Sequence, residues 1–418
     1  MLAETKRQTI ALVIATIALG IIVGFSSLLL GQLLDIVEQL FLHFEENAHI
    51  PVATAATPIN RLVSVTLGGI IVALIWYALQ RYGKPTVSIN KALQGEKMPF
   101  GVTIIHVMTQ IFYVATGGSI GRELAPREAG TLMAQTWQKF AGRIGLAELS
   151  VDDQRLLLAS AAGAGFAGIY IAPITGMLFA VEILLKKVDI KTVSVSLSMS
   201  VIAMLVGSIT KGFVPYYLIA HKNFSIKMLP FVVVVALVMG LLGGLFRRGF
   251  QWAGKHSAQS KQILWQLPLV ALLTGIVAMK MPQIMGNGRG LAEFSFVNLD
   301  QKVIVFLLVG AALKTIVTIL TIKAGAAGGT LTPSIAIGGA LGGVIGFAYM
   351  VIMPGLSMAT IAQAGVIGAV GFLAASQQAP LMALFMLFEV CHLDSSALLP
   401  LGLTVALASV SSKLVLSK

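Results

Sequence analysis

Long apolar runs without a charged residue dominate this sequence, and several reach the ~20 residues that a helix needs to cross a bilayer. They include Thr9–Gln32, Leu62–Leu79, Leu156–Val181, Phe231–Phe246, Val303–Leu313 and Ser334–Met353. Only 11% of the 418 residues are charged, whereas soluble domains carry about a quarter. The sequence therefore predicts an all-α, multi-pass protein of the cell membrane.

The 29 basic and 17 acidic residues give a formal net charge of +12. The basic residues lie mainly between apolar runs, where they can face lipid headgroups, although the excess could also favour an anionic substrate. They do not form the stripe that nucleic-acid-binding proteins carry. The lipid bilayer is the predicted surrounding, and nucleic acid is not a predicted partner.

Sequence motifs for metals and nucleotide cofactors are missing. Cys391 is the single cysteine, which excludes a disulfide framework and a multi-cysteine metal site. The six histidines show no metal-ligand spacing, and the phosphate loop of ATP-binding proteins does not occur. We therefore expect neither a metal nor a cofactor.

Two glycine-rich segments that contain prolines match each other along the chain. Gly118–Pro126 and Gly325–Pro333 share Gly, Gly, Leu and Pro at an offset of 207 residues. The same offset relates Pro173 and Glu182 to Pro380 and Glu389. Glycine-interrupted segments at matching places in two halves are typical of transporter binding sites. We predict two membrane half-repeats, 1–210 and 211–418, with broken helices that meet at the membrane centre.

Charge placement predicts the orientation of the half-repeats. Lys6 and Arg7 precede the first apolar run of one half, whereas Arg247 and Arg248 follow an apolar run of the other. If both basic pairs face the cytoplasm, the two repeats are inverted.

A separate glycine pattern predicts close helix packing. Gly338, Gly342 and Gly346 recur every four residues within an apolar run, so they lie on one side of a helix, where small residues allow another helix to approach.

Arg122 and Glu123 lie inside the first glycine-rich segment. A lipid-facing charge would cost about 2.5–3.5 kcal/mol at the bilayer centre, so water or protein must line this segment. Glycines let backbone N–H groups point into a cavity, and the positive end of a following helix favours an anion. Glu123 could take the anion's place and leave it when protonated, as gate and proton carrier together. The alternative is that Glu123 only pairs with Arg122 or Arg127.

The second half supplies hydroxyls in place of charges. Thr330 and Thr332 stand beside glycines and before Pro333; their N–H and hydroxyl groups could complete the same site, or the segment could simply break the helix. Glu182 and Glu389 could relay protons or bond to neighbouring helices.

At these segments the sequence resembles the CLC family of chloride channels and proton-coupled chloride transporters. The matching residues are Gly121-Arg122-Glu123, Gly165-Phe166, Pro173–Phe179 with Glu182, and Gly328–Pro333. The resemblance implies a homodimer with one pore per subunit and an inverted repeat in each subunit. It also implies that Glu123 is the gate and that backbone amides of Thr330 and Leu331 bind the central anion, with Gly121, Arg122 and Leu124 beside it.

The sequence departs from the family at three functional positions. Gly83–Val87 aligns with the family's Gly-Ser-Gly-Ile-Pro, so Lys84 replaces an anion-coordinating serine. Ile183 stands where family transporters carry an inner proton-handling glutamate, which leaves Glu182 as the candidate inner acid. Because tyrosine is absent after Tyr349, we expect the family's anion-binding tyrosine to be missing.

Lys84 has three interpretations. It could strengthen the anion site, it could pair with Glu123 and shut the pore, or it could be a loop lysine at the membrane edge.

We therefore predict a transporter of a small inorganic anion, chloride or another, that works as a proton-coupled antiporter gated by Glu123. A passive channel or uniporter is the closest alternative. We do not expect an enzyme, although Glu123, Lys84 and Ser119 could be combined into a membrane-embedded one. The third alternative is a transport-incompetent relative that serves as a sensor.

Overall fold

The computed structural model describes residues 2–297, 300–352 and 359–417, and these ranges are almost entirely helical. Their sixteen α-helices are α1 Leu2–Leu42, α2 Pro58–Tyr82, α3 Ile89–Leu93, α4 Phe100–Ala115, α5 Leu124–Arg143, α6 Val151–Tyr170, α7 Pro173–Leu178, α8 Ile190–Lys211, α9 Leu229–Lys255, α10 Ile263–Lys280, α11 Arg289–Val297, α12 Ile304–Lys323, α13 Leu331–Ile352, α14 Ala359–Gln377, α15 Pro380–Val390 and α16 Leu398–Leu416. The predicted all-α class is confirmed.

Within the described ranges, eight helices are long and apolar enough to cross a membrane: α1, α2, α8, α9, α10, α12, α13 and α16. Each buries only part of its surface in the protein. In α2, for example, Val65 and Trp76 are buried, whereas Leu67 and Leu74 are exposed. An exposed apolar face is what lipid contact requires. The predicted multi-pass membrane protein is confirmed.

The chain forms two compact units, each built from separated segments. Unit 1 contains Met1–Leu33, Tyr82–Thr109 and Glu123–Val214, and unit 2 contains Leu34–Arg81, Gln110–Arg122 and Pro215–Lys418. These units are defined by packing, whereas the half-repeats 1–210 and 211–418 are defined by sequence similarity. The half-repeat boundaries therefore stay a prediction.

The first and last residues of several helices repeat along the chain at the same 207-residue offset as the sequence motifs. α5 and α13 begin at Leu124 and Leu331, and α7 and α15 begin at Pro173 and Pro380. α6 and α14 end at Tyr170 and Gln377. All three pairs are 207 residues apart, so the offset relates whole helices as well as short motifs.

In unit 1, glycines bring helices to backbone contact. A Cβ atom on Gly165 of α6 would lie 2.0 Å from the carbonyl oxygen of Pro126 in α5, and one on Gly163 would lie 2.1 Å from that of Gly176. Real Cβ atoms do not approach so closely, so only glycine fits there. This packing fixes the first turn of α5, directly after Glu123.

Unit 2 uses the same device for α13 and α14. A Cβ atom on Gly342 would lie 2.4 Å from the carbonyl oxygen of Ala364, and one on Gly368 would lie 2.4 Å from that of Gly338. The predicted packing face of α13 is confirmed, and it fixes the helix that begins at Leu331.

Candidate functional site

The two glycine-rich segments begin in the same way. Gly117 and Gly325 follow the ends of α4 and α12 with φ of +102° and +101°, a conformation that favours glycine. Gly118 N–H donates to the Tyr113 carbonyl, and Ala326 N–H donates to the Thr321 carbonyl, each reaching back five residues. These are matching helix-ending Schellman motifs.

The two segments then pair with each other inside unit 2. Gly121 N–H donates to the Gly329 carbonyl and Gly329 N–H donates to the Gly121 carbonyl, both at 2.8 Å. This is the one isolated β-bridge among the described residues. Matching interruptions from the two halves therefore meet through their backbones, directly before Arg122 on one side and Thr330 on the other.

Glu123 is the residue before α5 in unit 1, and it is fully buried. Its carbonyl oxygen accepts a 2.6 Å hydrogen bond from Arg127 Nε one turn later. The Arg127 guanidinium lies over the ring of Phe179, 4.7 Å from its centroid, so the cation is held by an aromatic face. The first turn of α5 is thus fixed around the predicted gate.

Apolar side chains surround the start of α5 in unit 1. Leu124 and Ile183 both pack against an apolar cluster that contains Ile89 of α3 and Phe179. Phe179–Leu185 forms a π-helical turn that contains Glu182, which is half-buried. π-Helical turns occur frequently at functional sites. Unit 1 therefore contains four of the predicted site residues: Lys84, Glu123, Leu124 and Glu182.

Lys84 is exposed in the loop between α2 and α3. The residue at the start of α3 is Ser88, whose side chain accepts a hydrogen bond from Lys91 N–H. Ser88 also precedes Ile89, which packs with Leu124. Ser88 lies just after Gly83–Val87, the segment that aligns with the family's Gly-Ser-Gly-Ile-Pro. The role assigned to Lys84 stays a prediction.

Thr330 and Leu331 belong to unit 2, where α13 begins. Thr330 Oγ1 accepts a 3.1 Å hydrogen bond from Gln377 Nε2, and the Thr330 carbonyl accepts one from the Ser334 hydroxyl at 2.7 Å. Ser334 and Ser376 hydroxyls lie 2.8 Å apart. The end of α14 therefore places polar groups next to α13, and the sequence analysis missed Gln377 and Ser376.

Arg122 directs its guanidinium away from the backbone bridge, within unit 2. Its Nη1 lies 3.3 Å from Glu46 Oε1, and its Nη2 donates to the Tyr216 hydroxyl at 3.1 Å. The sequence analysis places Arg122 at the anion site or, as the alternative, pairs it with Glu123, and its anion-binding role stays a prediction. Glu46 was missed because it lies in the loop after α1, far away in sequence.

Lys314 is a further missed residue, fully buried in α12 of unit 2. Its ammonium donates to Ser119 Oγ at 2.8 Å and to the carbonyls of Ile284 and Gly286 at 3.1 and 2.7 Å. These three acceptors are neutral groups that solvate the ammonium. A lysine in the middle of a spanning helix is a signal of function that could have found it.

Comparisons with known proteins agree with this geometry. A family model described as "Voltage gated chloride channel" matches residues 68–413. The voltage-gated ClC-type chloride channel ClcB of Salmonella typhi is 26% identical over 417 residues, which cover 96% of this chain and 95% of the relative.

Two solved structures share the fold at 20% sequence identity. A slow cyanobacterial Cl⁻/H⁺ antiporter has a TM-score of 0.78, over 97% of this chain and 94% of its own. A CLC-type fluoride/proton antiporter has a TM-score of 0.71, over 97% and 96%. The family match spans both glycine-rich segments and the helices that follow them, and the resemblance drawn from the motifs is confirmed: this chain belongs to the voltage-gated chloride channel (CLC) family.

Proposed function

We propose that this protein carries a small inorganic anion, chloride or a related ion, across the membrane, and that the Glu123 carboxylate gates the path. The observation that carries the proposal is the mutual backbone pairing of Gly121 and Gly329. It joins the break that precedes Glu123 to the break that precedes Thr330 and Leu331, as an anion site made from two interrupted helices requires.

The helices that follow these breaks supply the attraction for an anion. α5 begins after Glu123 and α13 begins after Thr330, with lengths of 20 and 22 residues. The N-terminus of each helix carries about half a positive charge and backbone N–H donors. A carboxylate and an inorganic anion compete for such a position, and protonation removes the carboxylate from the competition.

We propose proton-coupled exchange as the mode of transport, with passive channel or uniport activity as the second candidate. Glu182 on the π-helical turn is the inner acid available for coupling. The passive alternative is favoured by Ile183, which packs against the apolar cluster that contains Phe179 and cannot carry a proton. The names of the relatives include both channels and antiporters.

The enzyme alternative has little support. A nucleophilic serine needs a neighbouring base that accepts its proton, whereas Ser119 Oγ accepts a hydrogen bond from the Lys314 ammonium. Lys84, the other member of that combination, is exposed. The homodimer implied by the family resemblance remains part of the proposal.

The test is anion flux from proteoliposomes that contain the purified protein, with Glu123→Gln compared with the wild type. Since Gln mimics the protonated carboxylate, we expect anion flux through Glu123→Gln to lose its pH dependence and to drive no proton movement. Glu128→Gln, which removes another buried carboxylate further along α5, is the control. It should keep the pH dependence of anion flux and any proton movement of the wild type.

A pH gradient that drives uphill anion movement in the wild type would identify exchange, and its failure to do so would identify passive transport. Unchanged pH dependence in Glu123→Gln would exclude the gate. If the folded wild-type protein carries no chloride, fluoride, bromide or nitrate, the transport proposal is wrong, and the protein is better interpreted as a transport-incompetent sensor.

A further inference from the structure

A buried charge cluster lies beside the first glycine-rich segment, within unit 2. Glu46, in the loop between α1 and α2, places Oε1 3.3 Å from Arg122 Nη1 and 3.2 Å from Arg289 Nη1. The side chains of both arginines are 5% exposed, and that of Glu46 is 10% exposed. One carboxylate oxygen therefore bridges two guanidinium groups that are almost removed from water.

Tyr216 completes the set of donors around this oxygen. Its hydroxyl accepts hydrogen bonds from Arg122 Nη2 at 3.1 Å and from Asn287 Nδ2 at 2.8 Å. Because both contacts use the hydroxyl as acceptor, its proton is directed to Glu46 Oε1, 3.1 Å away. The Arg289 guanidinium stacks on the Tyr216 ring, 4.0 Å from the centroid. The donors are thereby locked in place.

Three donors from three parts of unit 2 thus converge on a single oxygen atom. Ion pairs between arginine and carboxylate usually use two oxygens in parallel, whereas donors that converge on one point suit a small inorganic anion. Two buried arginines also need negative charge nearby, since an uncompensated buried cation is strongly unfavourable. Glu293 lies 3.7 Å from Arg289 Nε, and Glu38 Oε2 accepts a 2.8 Å hydrogen bond from the Glu46 N–H.

Glu46 differs from the two arginines in its place in the fold. It stands on a loop, whereas Arg289 begins α11 and Arg122 adjoins the backbone bridge. A cavity of about 30 Å³ borders Glu46, Glu38 and Arg289, enough for one water molecule. One water molecule therefore has space beside the Glu46 carboxylate.

We propose that Arg122, Arg289 and Tyr216 form a binding subsite for a small inorganic anion, and that the Glu46 carboxylate occupies this subsite as a built-in substitute for the anion. The inference rests on the proposed function for its biological use, because the subsite adjoins the segment that carries the gate. Anion binding to it can be measured without any transport.

The experiment is isothermal titration of the purified, detergent-solubilised full chain with sodium chloride, bromide and fluoride. Glu46→Gln keeps the size of the side chain and removes its charge, so we expect one additional anion per chain, or chloride affinity raised at least about tenfold. Glu45→Gln, the exposed neighbour, removes the same charge outside the cluster and should bind anions as the wild type does. The double variant Glu46→Gln/Arg289→Gln should lose the gain.

Glu46→Asp gives a second measurement if Glu46→Gln does not fold. It keeps the charge but withdraws the carboxylate by one methylene group, so we expect a smaller gain in affinity that again depends on Arg289. Anion binding unchanged from the wild type in whichever of the two variants folds would overturn the proposal. If Glu46→Gln gains anion binding but the wild-type protein shows no anion flux, the proposed transport is rejected and the subsite is kept.

Discussion

Two neighbouring charges, Arg122 and Glu123, belong to different environments. Arg122 contacts Glu46 and Tyr216 in unit 2, whereas Glu123 precedes α5 in unit 1. The sequence predicts that both side chains are sheltered from lipid, because a charged side chain in the bilayer interior costs free energy. It could not predict the partner of Arg122, since local spacing carries no information about a glutamate in the loop between α1 and α2.

Lys314 provides the first prediction at the residue scale. Lys314→Met keeps an unbranched side chain but removes the buried ammonium that contacts Ser119, two residues before the Gly121 bridge. We expect chloride affinity to fall severalfold to about tenfold, because one positive charge in low dielectric contributes this much to an anion nearby. Titration calorimetry with chloride measures it.

Lys323→Met is the matched control, because it removes a half-buried lysine from the last turn of the same helix. Its affinity should stay close to that of the wild type. Equal losses in the two variants would show that general electrostatics, rather than the position of Lys314, decides the affinity.

At the scale of elements, close glycine contacts fix where the helices begin. Gly165→Ala in α6 places a methyl group 2.0 Å from the Pro126 carbonyl oxygen, so α5 and α6 must separate. We expect the free energy of unfolding to fall by about 1–3 kcal/mol, as for other overpacked cores. Thermal unfolding in detergent is the measurement.

Gly142→Ala is the control for this substitution. Gly142 lies in α5 with open space around its Cβ position, and alanine in a helix is favoured over glycine by up to about 1 kcal/mol. We therefore expect an unchanged or higher melting temperature. If Gly165→Ala behaves in the same way, the tight contact is not needed for stability.

The start of α8 carries a charge-dependent cap. Asp189 accepts a 2.8 Å hydrogen bond from Thr192 N–H, and Lys187 Nζ lies 3.0 Å from its other oxygen. First the Thr192 bond and then Lys187 lower the pKa of Asp189 from 3.8 to about 2. Because the folded pKa lies below the unfolded one, Asp189 stabilises the fold above pH ~4, and this contribution is lost as pH falls toward 2.

Asp189→Asn tests this cap, because asparagine keeps an acceptor but cannot be charged. We expect the wild type to melt higher than the variant at pH 5, and the gap to shrink steadily below pH 4. Melting temperatures recorded in detergent across this range provide the check. A gap that is constant with pH would mean that the charge contributes nothing.

For the whole molecule, the apolar runs predict the all-α class, and the motif offset predicts the repeat. Both can be predicted because they depend only on residues that are near each other in the sequence. The offset of Gly118–Pro126 and Gly325–Pro333 even anticipates where α5 and α13 begin. The packing units could not be predicted in this way. α1 and α4 each contribute residues to both units, and that division depends on which distant side chains meet.

Inversion of the repeats leads to the last prediction. α1 and α2 are both long and apolar enough to cross a membrane; if each crosses once, we expect Glu4 and Lys84 on one side and Glu45 on the other. α9 is the first long apolar helix of the second half-repeat, so we expect it to be the counterpart of α1. In an inverted repeat it starts on the opposite side, which places Lys227 with Glu45. The basic residues Lys6, Arg7, Arg81 and Lys84 then face the cytoplasm.

Single-cysteine variants labelled from the outside of intact cells with a membrane-impermeant maleimide check this arrangement. The native Cys391 is buried, so it should stay unlabelled in the folded protein. We expect strong labelling of Glu45→Cys and Lys227→Cys, and of Glu4→Cys and Lys84→Cys only after the cells are opened. Because the labels report the side of each loop directly, labelling of Lys227→Cys only in opened cells would mean that the two halves run parallel. The inverted repeat predicted from the matching glycine-rich segments would then be wrong.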